Sequence, residues 1–123
     1  MAPLARWRLL AGKTAAITGG TTGIGRAIAL EYLRQGCNVA INHLGLERDE
    51  QLKTSLLKEA AIIKAEKVDG ESESRAGELL EVVGDVTVSE TGTILVGRAV
   101  ERWGKLDIFV ANAGVFQAAD FLT

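Results

Sequence analysis

The stretch TAAITGGTTGIGRAIALEYL, residues 14–33, places four glycines within seven positions between an apolar segment and an amphipathic one. Glycine loses more backbone entropy on folding than other residues, so this cluster requires a reason. Residues 14–18 form a short, mostly apolar run, which predicts a strand buried on both faces. From Ile24 to Leu33 the apolar residues recur at helical spacing, and Gly36 is a typical helix stop. The stretch therefore predicts a strand, a glycine turn and a helix.

The rest of the chain repeats this alternation. The segment 66–78 is polar and aperiodic and predicts a loop, and Ser89 is a candidate helix cap. Successive strands and helices of this kind favour a parallel sheet with right-handed crossovers. We therefore expect an α/β fold, a Rossmann-type doubly wound parallel sheet with about four strands. The predicted further elements are a strand over 38–42, a helix over 47–65, a strand over 79–83, a helix from 89 to 103 and a strand over 106–111.

Composition limits the function classes. The chain has 123 residues, 47% of them hydrophobic, and a net charge of -2 with both signs mixed, which fits one core and argues against a nucleic-acid or membrane partner. The N-terminal arginines argue against a secretion signal, and no apolar run is long enough to span a bilayer. The single cysteine, Cys37, lies among apolar residues and predicts a buried thiol in a reducing compartment. We expect a cytoplasmic protein without a metal site.

The glycine turn is a candidate phosphate site. Glycine adopts backbone angles that other residues avoid, and it lets a ligand approach the main chain. The free N–H groups at a helix start, together with the helix dipole, favour an anion. The hydroxyls of Thr21 and Thr22 can donate further hydrogen bonds. A purely conformational turn is the alternative, but a position between a buried strand and a helix favours dinucleotide binding.

Three short motifs at successive strand ends resemble those of the short-chain dehydrogenase/reductase (SDR) family. They are Thr18-Gly19-x-x-x-Gly23-Ile24-Gly25, then Asp85-Val86, then Asn112-Ala113-Gly114. The resemblance implies that the turn holds the pyrophosphate, that Asp85 and Val86 contact adenine, and that Asn112 steadies the fourth strand near a ribose. Taken singly, the later two motifs are also compatible with ordinary turns. The predicted cofactor-binding residues are Gly19, Thr21, Thr22, Gly23, Ile24, Gly25, Asn42, His43, Asp85, Val86, Asn112, Ala113 and Gly114.

The choice between NAD and NADP stays open in the sequence. An acidic residue after the second strand would bind a ribose 2′-hydroxyl, whereas an arginine there would accept a 2′-phosphate. Asn42 and His43 occupy that place, and the nearest cation along the chain is Arg48. His43 is equally compatible with a contact to the 2′ group or adenine and with an exposed loop position.

The resemblance also implies a catalytic Tyr-x-x-x-Lys and a Ser, which this sequence does not show. Its one tyrosine is Tyr32, and Gly36 stands where the lysine would be. We therefore expect residues 1–12 to form an arm and residues 13–123 to form a truncated NAD(P)-binding Rossmann domain. The domain would lack its catalytic half and show no turnover by itself. The strand over 106–111 would then be an apolar edge, which predicts poor solubility.

The parent protein would be an NAD(P)-dependent oxidoreductase acting on a small alcohol or carbonyl compound. The strings NHL (42–44) and SETG (89–92) resemble fungal sugar 1-dehydrogenases of the L-rhamnose type, which suggests a sugar. Family members commonly pair through helices of the other half, so an oligomer is an expectation for the full-length protein only. Two alternatives remain: an inactive nucleotide-binding remnant, and a methyltransferase domain that binds S-adenosylmethionine.

Overall fold

The structure is a computed structural model that describes residues 8–66 and 76–112. Strands and helices alternate along these residues, and the four strands form one parallel sheet in the order β3-β2-β1-β4. The α/β prediction is therefore confirmed, whereas most of the loop predicted for 66–78 lies outside the described residues. The elements are β1 Thr14–Ile17, α1 Gly23–Arg34, β2 Asn38–His43, α2 Glu47–Ala65, β3 Leu79–Val83, α3 Ser89–Trp103 and β4 Ile108–Val110.

The central strand β1 is covered on both faces, as its apolar run predicts. Ala15 and Ile17 pack in a core with α1 and α2, and Ala16 packs in a second core with α3. All three side chains are fully buried. Helices on both faces of a parallel sheet are the doubly wound arrangement, and they explain why β1 reads as a continuous apolar run rather than an alternating one.

The strand order brings distant parts of the sequence to one edge of the sheet. Strand β1 pairs with β2 on one side and β4 on the other, so the order in which strands are added reverses after β3, and the switch point lies between β1 and β4. The register places Ile17 opposite both Ile41 and Val110, and it places His43 opposite Val83. The carboxyl ends of all four strands therefore lie side by side, at the kind of switch point where α/β sheets bind ligands.

The predicted element bounds agree closely with the structure for α2, β3 and α3, but the residue at the N-cap of α3 differs from the predicted one. The N-cap position is Val88, and the Ser89 hydroxyl lies 3.2 Å from a Glu90 carboxylate oxygen. Ser89 is therefore the first helical residue, and the prediction that it caps the helix is wrong. Gly104 ends α3 in the left-handed conformation, with φ of 84°, and β4 is shorter than the predicted strand.

The described end of the predicted N-terminal arm contacts the domain. The Leu10 N–H donates to the Gln35 carbonyl oxygen at 2.9 Å, and the Arg8 guanidinium donates to the Arg34 carbonyl oxygen at 2.8 Å.

Cys37 is fully buried, and that burial raises the pKa of its thiol to about 11. Among the described helices, none combines the length and apolar character that crossing a membrane requires.

Candidate cofactor-binding site

A cleft of about 490 Å³ lies at the carboxyl edge of the sheet. It contains ten of the predicted cofactor-binding residues, and Gly25 is the described member of that set that does not line it. Ala113 and Gly114 lie outside the described residues. The lining residues are Gly19, Thr21, Thr22, Gly23, Ile24, Asn42, His43, Leu44, Asp49, Gly84, Asp85, Val86, Thr87 and Asn112.

The four glycines of the turn are required for two different reasons. Gly19 and Gly23 have positive φ angles of 66° and 56°, which residues with a side chain rarely adopt. Gly20 and Gly25 are limited by space: a Cβ on Gly20 would overlap Ile41, and one on Gly25 would overlap the Gly19 carbonyl group. The space at these two glycines is thus filled by the protein itself, whereas Gly23 faces an opening with no atom within 4 Å.

The start of α1 offers the unpaired donors that an anion needs. The N–H groups of the first helical turn, at Gly23, Ile24 and Gly25, have no partner within a helix. Thr22 makes no side-chain capping bond, and no acidic residue occupies that turn. The positive end of the helix dipole therefore faces the cleft without a competing carboxylate in the first turn of that helix.

Asn42 fastens the glycine turn to the neighbouring strands. Its side chain is 2% exposed, its Oδ1 accepts the Gly19 N–H at 3.1 Å, and its Nδ2 donates to the Gly84 carbonyl oxygen at 2.6 Å. Both polar atoms of the amide are thus engaged within the protein. Asn42 lines the cleft, but its main role in the structure is to position the turn.

His43 is a buried residue of β2, so the alternative of an exposed loop histidine is wrong. The residue is 5% exposed. Its Nδ1 accepts the Gly45 N–H at 3.0 Å, and its Nε2 lies 3.0 Å from Glu81 Oε2. This arrangement fits a neutral ring with its proton on Nε2, donated to Glu81. Both ring nitrogens are engaged, so His43 offers the cleft its ring carbons rather than a hydrogen bond.

Asp85 lies in a turn directly after β3. Its Oδ1 accepts the Thr87 hydroxyl at 2.7 Å and the Thr87 backbone N–H at 2.8 Å. The hydroxyl bond, followed by the backbone bond, lowers the pKa of the Asp85 carboxyl. The residue thus stabilises an ordinary turn and also presents a carboxylate to the cleft, so its two interpretations are compatible.

Asn112 joins the end of β4 to the end of β1. Its backbone N–H donates to the Thr18 hydroxyl at 3.0 Å, and its Nδ2 donates to the Gly19 carbonyl oxygen at 3.1 Å. The side chain therefore holds the glycine turn from the side opposite Asn42. The proposed place of Asn112 beside a cofactor ribose stays a prediction.

Comparison with known proteins identifies the family. The family described as short chain dehydrogenase matches residues 13–123. This chain belongs to that family. The SDR chain is 45% identical over 114 residues to an L-rhamnose-1-dehydrogenase of Scheffersomyces stipitis, covering 93% of this chain and 40% of the relative. It is 35% identical over 115 residues to an L-rhamnose 1-dehydrogenase (NAD(P)(+)) of Sphingomonas sp., covering 94% and 39%.

Solved structures agree with the SDR assignment. A short-chain dehydrogenase/reductase mutant of Serratia marcescens superposes with a TM-score of 0.70 at 28% identity, covering 88% of this chain and 38% of that one. An apo-form glucose dehydrogenase of Caenorhabditis elegans gives a TM-score of 0.63 at 33% identity, covering 92% and 42%. The chain spans about 40% of the length of the curated relatives named above.

Four residues of the SDR cleft were absent from the predicted set: Leu44, Asp49, Gly84 and Thr87. Asp49 is the most notable, because it is charged and only 7% exposed. Its Oδ2 accepts the Leu46 N–H at 3.0 Å. Leu46, the N-cap residue of α2, is not one of the residue types that mark a helix start, so the sequence contains no signal for this bond or for the place of Asp49 in the cleft. Within the described ranges, no group of three metal-ligating side chains occurs.

Proposed function

We propose that residues 13–123 are the cofactor-binding part of an NAD(P)-dependent oxidoreductase. The observation that supports this most strongly is the convergence of three separated motifs on one cleft at the carboxyl edge of the sheet. Its volume of about 490 Å³ lies within the range of ligand pockets. Family membership favours this function over the methyltransferase alternative.

Each proposed binding residue has a physical task. The N–H groups at the start of α1 and the hydroxyls of Thr21 and Thr22 would hold the pyrophosphate. Asp85 would accept a hydrogen bond from the adenine amino group, with Val86 against the ring. Ile24, which is 73% exposed at the mouth of the turn, would pack beside the nicotinamide. The bound cofactor supplies hydride chemistry; the chain supplies binding and orientation.

The remaining members of the proposed set act mainly on the shape of the cleft. Asn42 and Asn112 hold the turn, Gly19 and Gly23 allow its backbone angles, and Gly25 allows its close packing. His43 lines the wall beside the adenine ribose. Ala113 and Gly114 complete the proposed set from the sequence motif alone.

For the whole protein, we propose a small alcohol or carbonyl substrate, and a sugar in particular. This rests on the short strings noted above and on two relatives named L-rhamnose 1-dehydrogenases. We propose a cytoplasmic location and small-molecule partners only. An oligomer of the full-length protein is compatible with this proposal.

We further propose that the 123 residues bind cofactor without turning over substrate. A tyrosine general base needs contact with the substrate oxygen. Tyr32 lies on α1 and packs partly buried against the core, and Gly36 follows where the family resemblance implies a lysine. Tyr32 is therefore a packing residue, and incubation with NAD and L-rhamnose should produce no NADH.

A titration of the chain with NADH, followed by cofactor fluorescence, tests the binding proposal. We expect saturable binding, and we expect Gly23→Asp to weaken it at least about tenfold by placing a carboxylate against the phosphates. Gly12→Asp is the matched control, because Gly12 also has positive φ, 78°, and open space but lies outside the cleft. It should leave the affinity unchanged.

Two results would contradict the proposal. The first is binding of S-adenosylmethionine but not NADH by the folded wild-type chain. The second is equal NADH affinity in Gly23→Asp and Gly12→Asp when circular dichroism shows both to be folded. NADH formation from L-rhamnose would contradict only the absence of turnover.

A further inference from the structure

The part of the cleft beside β2 carries negative charge without a compensating cation. Leu44, which is 47% exposed, forms the rim, and Asp49 and His43 form the wall. Asp85 adds a second carboxylate across the cleft. None of the described lining residues is lysine or arginine, so no lining side chain offers a positive charge to an anionic group at this end.

The charge on Asp49 is held in place. Its Oδ2 bonds to the Leu46 N–H, and it lies 3.9 Å from His43 Nδ1. That nitrogen already accepts the Gly45 N–H, so it carries no proton and does not form an ion pair with Asp49. The carboxylate is therefore a fixed negative charge whose helix cap keeps it at the wall.

Two nearby cations are engaged elsewhere, and Arg48, the nearest cation along the chain, is exposed and does not line the cleft. The Arg26 guanidinium donates to the Thr21 and Leu52 carbonyl oxygens at 3.3 and 3.2 Å. Lys53 lies 3.0 Å from Glu50 and 3.5 Å from Glu81. These contacts direct both side chains toward α2 and β3 rather than into the cleft.

We propose that this cleft selects NAD over NADP, and that Asp49 on α2, rather than a residue at the end of β2, is the specificity-determining carboxylate. The inference rests on the proposed cofactor function. The adenine ribose of a bound dinucleotide lies beside the end of β2 in doubly wound sheets. A carboxylate there accepts a hydrogen bond from a 2′-hydroxyl and repels a 2′-phosphate, whose charge at neutral pH is close to -2.

Parallel titrations with NADH and NADPH test this inference. The wild-type chain should bind NADH at least about tenfold more tightly, and Asp49→Asn should reduce that ratio severalfold, mainly by strengthening NADPH binding. Asparagine keeps an oxygen that can accept the Leu46 N–H, so α2 should keep its cap. Glu47→Gln removes the same charge two residues earlier on α2, outside the cleft, and should leave the ratio unchanged.

A second variant keeps the test independent of the Asp49 cap. Leu44→Arg adds a cation at the exposed rim and should raise NADPH affinity relative to NADH affinity, and an unchanged ratio in this variant would also count against the inference. Equal affinities for the two cofactors in the wild-type chain would overturn the inference, and so would an unchanged ratio in folded Asp49→Asn. Failure of both cofactors to bind would instead overturn the proposed function.

Discussion

The substitution Asn42→Ala should separate the architecture of the glycine turn from its ligand chemistry. The buried Asn42 amide bridges the Gly19 N–H at 3.1 Å and the Gly84 carbonyl oxygen at 2.6 Å. Alanine removes both hydrogen bonds while leaving the backbone of β2 in place. The turn then loses its side-chain connection to β2 and to the end of β3.

The expected loss of stability follows from the two backbone groups that lose their partners. A buried polar group left unpaired costs about 1–3 kcal/mol. Gly19 and Gly84 are only partly buried, so water can reach them and the lower end applies, about 2 kcal/mol in total. With a urea dependence of about 1–3 kcal/mol per molar for a small domain, the unfolding midpoint should fall by about 1 M.

Urea unfolding followed by circular dichroism measures this loss, and Asn38→Ala is the matched control. Asn38 lies at the other end of β2 and accepts one backbone hydrogen bond, from the Glu78 N–H at 3.0 Å. Its replacement should cost about half as much, ~1 kcal/mol, without changing NADH affinity. The reasoning is refuted if Asn42→Ala unfolds at the wild-type midpoint, or if the two variants weaken NADH binding equally.

Three further predictions concern glycine, acid and thiol chemistry. Gly25→Ala should lower the urea midpoint more than Gly23→Ala. A Cβ at Gly25 would overlap the Gly19 carbonyl group, whereas a Cβ at Gly23 adds only the strain of a left-handed backbone, about 1–2 kcal/mol. Equal losses would contradict this reasoning. The bond from the Thr14 N–H lowers the pKa of Asp107 below its ordinary 3.8. The ionised Asp107 carboxylate therefore stabilises the folded chain fully above pH 3.8, and this stabilisation is lost as the pH falls through the lower pKa of the folded state. The urea midpoint of Asp107→Asn should therefore fall less with acid than that of the wild-type chain. Cys37, with a pKa of about 11, should react with iodoacetamide at neutral pH only after unfolding, as measured by mass spectrometry.

The sequence predicted the elements well where local signals and burial agreed. Helix α2 begins and ends where its apolar spacing indicated, and Gly104 ends α3 as a left-handed residue. Ten of the predicted cofactor-binding residues line one cleft because the carboxyl ends of parallel strands meet at one edge of the sheet. Such features follow from periodicity and backbone geometry, which neighbouring residues largely determine.

One error was local: Ser89 has the residue type of a cap, but the chain positions Val88 at the N-cap, one residue earlier. The other two differences arose where a tertiary contact determined the role of a side chain. The sequence around His43 is compatible with an exposed loop, but the His43 ring pairs with Glu81 on β3 and is buried. Asp49 entered the cleft because α2 packs beside the end of β2. None of these contacts has a sequence separation that a local pattern reports.

The glycine motif and the asparagine motif are coupled by structure before any cofactor binds. Asn112, just after β4, donates to the Gly19 carbonyl oxygen, and Asn42, from β2, accepts the Gly19 N–H. The two strands flank β1, so one peptide segment is held from both sides. Gly25 must lack a side chain partly because the Asn112 amide occupies the adjoining space. Part of the sequence motif that resembles a cofactor signature therefore serves to support the turn. An Asn112 variant that loses NADH binding should also unfold at a lower urea concentration, because the same side chain holds the turn.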